Sequence, residues 1–543
     1  MRRPTLHQTH RSRRADLLAA GLTLAGLGAA VVLGLISNGV YQDDDITHYL
    51  FARDAWGNVE AMLHWWARPG YNLPTMVVAR FFALEGCRVF SALQTAAVAF
   101  LAYLIARRLG VAARWSLLAP VFVWAQPLVM TLAQTTLTET PAALYLTLGV
   151  WLWLRGNRVW AAVAISPAFV TRLELLGLAP VFVAALLWDA WRGADGEGGA
   201  TLRRGRVGGV AAALLWAPAV YALAAWVAQL PLDSSPLYIF SRQHTDAYGH
   251  GSWYHYLVRW AQASTLGLVA LTLGGAVRLG RRAALVTALA LGLVVLQGAI
   301  FTLGLFASGG YARFLVPGVG LFAPLAAAGT RCFRRAASRP AMAVALVAAP
   351  LILALVAYCY PHALAAHCPR AHALSWCVAV PAAGLLVACV FAAPGVRRVA
   401  APAAGLLLLG LAGVQVAAQV RPLRIDNNID GMHQAVRRSV RQVRTRGLTG
   451  RAALSQHVMV RHMYGGVHAG SNAEALQRWH SAPRGTLFFW DSKYCAPPAR
   501  PARQSALYEA LRREGRLVTT ASCAGSSVEV YVRNGATTRG VQD

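Results

Sequence analysis

The stretch LLAAGLTLAGLGAAVVLGLISNGVYQDDD, residues 17–45, passes from a long uncharged run directly into three carboxylates. The run from Leu17 to Val40 is about 24 residues long, which is enough for a helix to cross a bilayer. It follows a basic N-terminus, lacks a small-residue cleavage site and exceeds the apolar core of a usual signal peptide. The sequence therefore predicts a first transmembrane helix preceded by a cytoplasmic segment, 1–16. It leaves open why Asp43, Asp44 and Asp45 follow that helix.

The composition of the whole chain agrees with a membrane protein. Of the 543 residues, 57% are apolar and 13% are charged, and the mean hydropathy is +0.45. Soluble domains carry about 25% charged residues. The formal charge of +29 comes from short arginine clusters between apolar runs, not from one basic face, so it indicates membrane orientation and excludes a nucleic-acid-binding protein.

Further apolar runs predict a polytopic helical protein. Together with the first run they predict about thirteen membrane spans, since a helix needs about 20 apolar residues to cross a bilayer. Arginine-rich loops alternate with arginine-poor loops, which places the N-terminus inside and the tail from residue 421 outside. The twelve further runs are 89–106, 115–133, 140–154, 159–171, 175–188, 207–232, 260–277, 283–307, 314–330, 340–361, 372–396 and 399–420.

The tail has the pattern of a small α/β domain. Segments 432–444, 472–480 and 506–515 predict helices, and 453–460, 486–491, 516–521 and 527–532 predict strands. Because the domain is predicted outside the cytoplasm, its only cysteines, Cys495 and Cys523, are predicted to form a disulfide. The fold class is thus an all-α polytopic membrane domain, 17–420, with a first outer loop at 41–88. A small extracytoplasmic α/β domain follows at 421–543.

Ionisable residues collect on the predicted outer side, several of them at or within apolar runs. Such groups are costly in a membrane and usually mark a functional site. A carboxylate near arginines suits a general base, and guanidinium groups suit a phosphate leaving group. Simpler roles are a solvated acidic loop, an ion pair between Arg172 and Glu174, and a snorkelling Arg313. The residues concerned are Asp43, Asp44, Asp45, His48, Tyr49, Arg68, Glu139, Arg172, Glu174 and Arg313.

Three patches resemble one enzyme superfamily. DDDITHYLFARDAW followed by WWARPGYNLP is similar to the first outer loop of GT-C glycosyltransferases, which use polyprenyl-phosphate sugars. LTETPAALYLTLGVWLWLRGNRVWAAVAISPAFVTRLELLGLAP resembles their S/T-E-P and R-x-E stretch, and SGGYARFLVPGVG resembles a later Arg–aromatic segment. Protein O-mannosyltransferases and lipid A aminoarabinose transferases are members. The resemblance extends over roughly 17–420 and implies a GT-C fold.

The resemblance also implies an activity and roles for residues. A first-loop carboxylate, Asp45 first and Asp44 second, would be the catalytic base of an inverting transfer. Ile46 follows Asp45 where the family often has Asp-Glu, so the choice among the three aspartates stays open. Arg172 and Arg313 would meet the lipid phosphate, and Glu139 and Glu174 would shape the pocket. His48, Tyr49 and Arg68 belong to the same substrate-binding motifs.

The expected partners follow from the same resemblance. The donor would be a polyprenyl-phosphate sugar, and the acceptor a hydroxyl of a lipid, glycan or protein at the outer face of a bacterial-type inner membrane. No obligatory metal is expected, although adjacent carboxylates could hold a divalent cation. Two other classes remain: a transporter or flippase of lipid-linked saccharides, which needs no base, and a non-catalytic scaffold.

Overall fold

The computed structural model describes residues 6–37, 40–41, 43–64, 66–192, 200–231, 250–305, 309–333, 431–495 and 505–534. By its internal contacts the chain divides into two compact units. The helical unit comprises Met1–Ser37 and Phe51–Arg424, and the C-terminal unit comprises Asn38–Leu50 and Ile425–Asp543. The segment Asn38–Leu50, predicted as part of the outer loop of the membrane domain, therefore groups with residues far away in sequence.

The described residues of the helical unit form α-helices and short 3-10 turns. The long helix after the predicted first loop begins at Pro69 and continues to Arg108, with non-helical backbone at Ala83. Short 3-10 turns cover Leu173–Leu178, Gly280–Ala283, Ala312–Gly318 and Thr330–Phe333. The second helix, α2, begins in the C-terminal unit. The helices are α1 Leu6–Ile36, α2 Asp43–Asp54, α3 Val59–Leu63, α4 Pro69–Arg108, α5 Ala113–Ser116, α6 Leu118–Trp124, α7 Pro127–Leu132, α8 Glu139–Leu154, α9 Arg158–Thr171, α10 Ala179–Arg192, α11 Ala200–Val227, α12 His255–Ser264, α13 Leu266–Leu279, α14 Ala284–Thr302 and α15 Val319–Gly329.

Five helical segments in the described ranges are long and apolar enough to cross a membrane: Arg13–Ile36, Pro69–Arg108, Gly208–Val227, Gly267–Thr302 and Ala312–Gly329. The predicted outer loop 41–88 contains the first 20 residues of α4, which begins at Pro69, so the loop is helical at its C-terminal end. The predicted span 115–133 is divided into α5, α6 and α7. The predicted spans 340–361, 372–396 and 399–420 lie outside the described residues.

Two glycines allow α13 and α15 to pack closely. A Cβ atom on Gly275 would lie 1.8 Å from the backbone oxygen of Leu325, and one on Gly329 would lie 2.0 Å from that of Leu271. Small residues at helix interfaces permit such backbone approach in membranes, where packing drives association. The pair therefore fixes the contact between these two helices.

We expect Gly275→Ala to destabilise the protein, because a methyl group at this contact forces the two backbones apart. Overpacking of this kind costs about 1–3 kcal/mol. The measurement is the apparent melting temperature of the detergent-solubilised protein. Gly209→Ala is the control, since a Cβ atom on Gly209 meets nothing within 4 Å. Equal melting temperatures for the two variants would contradict the close packing.

The C-terminal unit is built on a five-stranded sheet. Its strand order is β2-β1-β3-β5-β4; β1 pairs in parallel with β2 and β3, and β5 pairs antiparallel with β3 and β4. All five residues of the central strand β3 are buried. The elements are α16 Gly431–Thr445, β1 Ala453–Ser455, α17 Val458–Tyr464, β2 Val467–His468, α18 Asn472–Ser481, β3 Leu487–Asp491, α19 Ala506–Glu514, β4 Gly515–Cys523 and β5 Ser526–Arg533.

Most of the elements predicted for this unit are confirmed. A capping box between Ser471 and Glu474 starts α18, as expected for a serine three residues before a glutamate. The predicted strand 453–460 is wrong beyond Ser455. There, the His457 side chain accepts a hydrogen bond from the backbone of Met459 and begins α17 instead.

The predicted Cys495–Cys523 disulfide is wrong, since both residues are free thiols. Cys495 follows β3 and is buried, and its thiol contacts the Asp491 carboxylate at 3.5 Å. Cys523 ends the edge strand β4 and its thiol donates to Gln434. The two thiols therefore contact different partners and are not bonded to each other.

We expect a maleimide to label Cys523 in the folded protein and to spare Cys495. Cys523 is partly exposed, whereas burial raises the pKa of the Cys495 thiol well above its usual range, so its reactive thiolate is scarce. Mass spectrometry of the labelled protein measures this. Cys523→Ser should lose one label and Cys495→Ser none; the reverse result, or loss of reactivity until a reductant is added, would contradict the structure.

Candidate active site

A buried ion-pair network lies in the helical unit. Glu139 is the first residue of α8 and is fully buried. Arg172 follows α9 with extended backbone, and its Nη1 donates to Glu139 Oε1 at 2.7 Å. Its Nε donates to Glu174 Oε1, also at 2.7 Å. The break between α9 and the next 3-10 turn thus brings Arg172 between two carboxylates.

A second arginine joins this network from another part of the chain. Arg313 lies in the 3-10 turn Ala312–Gly318, is buried, and has its Nε 3.4 Å from Glu139 Oε1. The guanidinium carbon of Arg172 lies 4.2 Å from the centre of the Phe314 ring, and that of Arg313 lies 5.4 Å from it. The aromatic ring therefore supports both guanidinium groups, a favourable cation–π arrangement.

Arg68 adds a third positive charge. It interacts electrostatically with Glu174 and Glu139 and caps the N-terminus of α4 in a left-handed conformation, with φ 59°. A non-glycine residue held in that conformation is strained, which is typical of functional sites. Three arginines against two glutamates leave one positive charge in excess. The network is therefore suited to an anion such as a phosphate.

The predicted site residues from Asp44 to Tyr49 lie in the C-terminal unit. Asp43, Asp44 and Asp45 form the first turn of α2, where the helix dipole stabilises negative charge. Asp45 is 0% exposed, and its Oδ2 accepts the backbone N–H of Tyr41 at 3.1 Å. Asp44 is half-buried.

Two further predicted residues lie one turn along the same helix. His48 and Tyr49 are buried, and the Tyr49 ring makes an edge contact with His462, with 5.7 Å between the ring centres. The structure thus groups the predicted site residues into two sets. One set holds Arg68, Glu139, Arg172, Glu174 and Arg313, and the other holds Asp44, Asp45, His48 and Tyr49.

A polar cluster around Asp43 was not predicted from the sequence. Its Oδ2 accepts hydrogen bonds from Lys493 Nζ, at 2.7 Å, and from the Tyr494 hydroxyl. Its Oδ1 accepts one from His433 Nε2 at 2.5 Å, and His457 Nε2 lies 3.9 Å from the same oxygen. One signal was available: Lys493 is the only lysine in the chain, whereas arginine occupies every other basic position.

The cluster holds Asp43 in its charged form. Burial alone would raise the pKa of this carboxyl, but the hydrogen bond from His433 and the charges of His457 and Lys493 lower the pKa well below its usual range. Burial lowers the pKa of His457 in turn, so at neutral pH the lysine and the hydrogen bonds carry the effect. Burial, together with the same charge on Asp43, raises the pKa of Tyr494.

The chain is similar to known proteins in part of its sequence and in its fold. Residues 40–192 match the family model described as dolichyl-phosphate-mannose-protein mannosyltransferase. The crystal structure of ArnT from Cupriavidus metallidurans bound to undecaprenyl phosphate is similar, with a TM-score of 0.61 and 15% identity over 95% of this chain and 98% of that chain. The apo structure of the same protein gives 0.59 and 14% over the same shares. No curated protein matches the sequence.

Because the identity to ArnT is only 14–15%, the likeness shows the fold alone. The region matched by the mannosyltransferase model contains Asp44, Asp45, Arg68, Glu139, Arg172 and Glu174. The match reaches the first-loop motif and the Arg–Glu motif, and the apolar helices make the chain an integral membrane protein. The chain therefore has the GT-C fold that its sequence patches predicted.

Proposed function

We propose that this protein is a membrane glycosyltransferase that moves a sugar from a polyprenyl-phosphate donor to a hydroxyl group of a lipid, glycan or protein. The observation that carries the proposal is the buried network of Arg172, Arg313, Glu139 and Glu174, with Arg68 nearby, within a GT-C fold. Burying this many charges is expensive unless they are paired or bind a ligand. The similar ArnT was crystallised with undecaprenyl phosphate bound, which supports a polyprenyl phosphate as the sugar carrier here.

In the proposed reaction a first-loop aspartate, Asp45 or Asp44, takes the proton of the acceptor hydroxyl. The acceptor oxygen attacks the anomeric carbon, the bond from that carbon to the phosphate oxygen breaks, and the polyprenyl phosphate leaves with its electron pair. Direct displacement inverts the anomeric configuration. Arg172 and Arg313 stabilise the negative charge that develops on the phosphate, and Glu139 and Glu174 keep the guanidinium groups in place.

The other groups complete the proposed site. Arg68 supplies further positive charge, and His48 and Tyr49 follow the aspartates within the motif of substrate-binding residues. The reaction requires no metal, and the proposed location is the extracytoplasmic face of a bacterial-type inner membrane. The N-terminus is proposed to be cytoplasmic and the C-terminal unit extracytoplasmic.

Transfer can be tested with the purified protein in proteoliposomes. Radiolabelled undecaprenyl-phosphate sugars, mannose and aminoarabinose among them, are supplied with a membrane extract as acceptor source. We expect label in an acceptor fraction and release of undecaprenyl phosphate. A protein that consumes no donor, but moves labelled donor from one leaflet to the other, would be a flippase. A protein that folds in full yield but neither consumes nor moves the donor would support the interpretation as a non-catalytic scaffold.

A further inference from the structure

The segment Asn38–Leu50 belongs to the C-terminal unit although 390 residues separate Asp43 from His433 along the chain. We propose that the C-terminal unit positions the first-loop aspartates by holding Asp43, with Lys493 as the positioning residue. This inference rests on the proposed transferase function and gives the C-terminal unit a part in it. Asp43 is then an anchor, and the neighbouring Asp44 or Asp45 remains for chemistry.

Both oxygens of the Asp43 carboxylate are already engaged. Lys493 and Tyr494 donate to Oδ2, and His433 donates to Oδ1. A carboxylate that accepts several hydrogen bonds while facing an ammonium group is a weak base. Such a group cannot readily take a proton from an acceptor hydroxyl. The geometry instead suits a charged anchor for the first turn of α2.

The groups that hold Asp43 are themselves fixed. Asp491, at the end of the central strand β3, is buried, and its Oδ1 accepts the backbone N–H groups of Lys493, at 3.0 Å, and Tyr494, at 2.7 Å. The backbone N–H of Ser492 donates to Ser527 of β5 at 3.0 Å. The turn that presents Lys493 and Tyr494 is thus tied to the middle of the sheet, which preorganises both side chains.

A second contact holds the same helix farther along. The edge contact between Tyr49 of α2 and His462 of α17 lies within the C-terminal unit, as does the Asp43 cluster. Asp44 and Asp45 therefore lie between two attachment points in sequence and on one helix. Displacement of a reacting group by about 1 Å can cost roughly a hundredfold in rate, so fixing this turn matters for a base.

A metal site is the competing interpretation of the cluster. One ligand atom from each of Asp43, His433 and His457 lies within 4.8 Å of the others. Two observations oppose it. The ammonium group of Lys493 already binds the carboxylate, and Nδ1 of His457 accepts the Met459 N–H at 3.2 Å. The neutral His457 ring therefore carries its proton on Nε2, whereas a histidine bound to metal through Nε2 normally donates from Nδ1.

The test is a double-mutant cycle with Asp43→Asn and Lys493→Met in the full-length protein in proteoliposomes. We expect each variant to lower kcat by about 10- to 100-fold, with KM for the donor unchanged. The double variant should be no slower than Asp43→Asn alone, because Lys493 acts through its contact with Asp43. Lys493→Arg should recover part of the rate. Glu514→Gln, which breaks an exposed ion pair with His480 in the same unit, is the control.

Hydrogen exchange gives a readout that does not depend on activity. Amides of residues 43–50 should exchange faster in Lys493→Met than in the wild type and at the wild-type rate in Glu514→Gln. Unchanged exchange would overturn the proposal. So would Asp43→Asn falling far below Lys493→Met in rate, because Asp43 would then act directly, or stoichiometric zinc that is lost in His457→Ala. If the wild type transfers no sugar, the proposed function fails, but the exchange result still decides positioning.

Discussion

We expect Asp45→Asn to lose nearly all sugar transfer while it still binds undecaprenyl phosphate. A general base contributes about 10²- to 10⁴-fold to a rate, so we expect a loss of roughly a thousandfold in kcat. Asparagine keeps an oxygen that can accept the Tyr41 N–H bonded to Asp45 in the structure. The substitution therefore removes charge and basicity from the first turn of α2 while preserving its local geometry.

Two neighbouring variants make this result specific. Asp54→Asn changes a carboxylate at the other end of the same helix, where it pairs with Arg53, and should retain transfer. Asp44→Asn should lower the rate less than Asp45→Asn. If Asp44→Asn is the inactive variant and Asp45→Asn retains activity, the buried Asp45 has a structural role and Asp44 is the base. Full activity in both Asp44→Asn and Asp45→Asn would mean that the catalytic base does not lie in this turn.

The fold was predictable because its signals are local. Each long apolar run has the length of a membrane span, and the arginine clusters recur between them, so neither observation needs a tertiary contact. Helix ends were less predictable. Arg80 and Glu85 interrupt the apolar pattern before residue 89, yet α4 begins at Pro69 and passes through the irregular Ala83. A charged residue ends an apolar run in the sequence without ending the helix.

The two sets of site residues also differed in how well the sequence predicted them. Arg172 and Glu139 were visible because a charged residue within an apolar run is costly and demands a reason. The Asp43 cluster was not visible, since Lys493 is 450 residues away along the chain and lies in an ordinary polar turn. The disulfide prediction failed for a related reason. Compartment and cysteine count favoured it, but the tertiary contacts of Cys495 with Asp491 and of Cys523 with Gln434 are not visible in the sequence pattern.

The largest expected loss of stability comes from Arg172→Met. The variant leaves Glu139 and Glu174 buried without their nearest positive charge, and breaking a buried pair in this way costs about 3–5 kcal/mol. We expect a lower folded yield and an apparent melting temperature about 3–5 °C lower. Adding Glu139→Gln should recover part of the stability because it removes one uncompensated charge. No change in melting temperature for Arg172→Met would mean that the network is solvated.

The double variant Arg172→Met/Glu139→Gln then distinguishes a structural role of Arg172 from a role in donor binding. If Arg172 binds the lipid phosphate, Arg172→Met/Glu139→Gln should fold but bind undecaprenyl phosphate about 10- to 100-fold more weakly, as expected for losing a charged hydrogen bond. Glu139→Gln alone is the matched control. Arg313→Met, whose guanidinium is farther from Glu139 than that of Arg172, should weaken binding with a smaller loss of stability. Wild-type binding by the folded double variant would make Arg172 a structural ion-pair partner and leave the phosphate to Arg313 and Arg68.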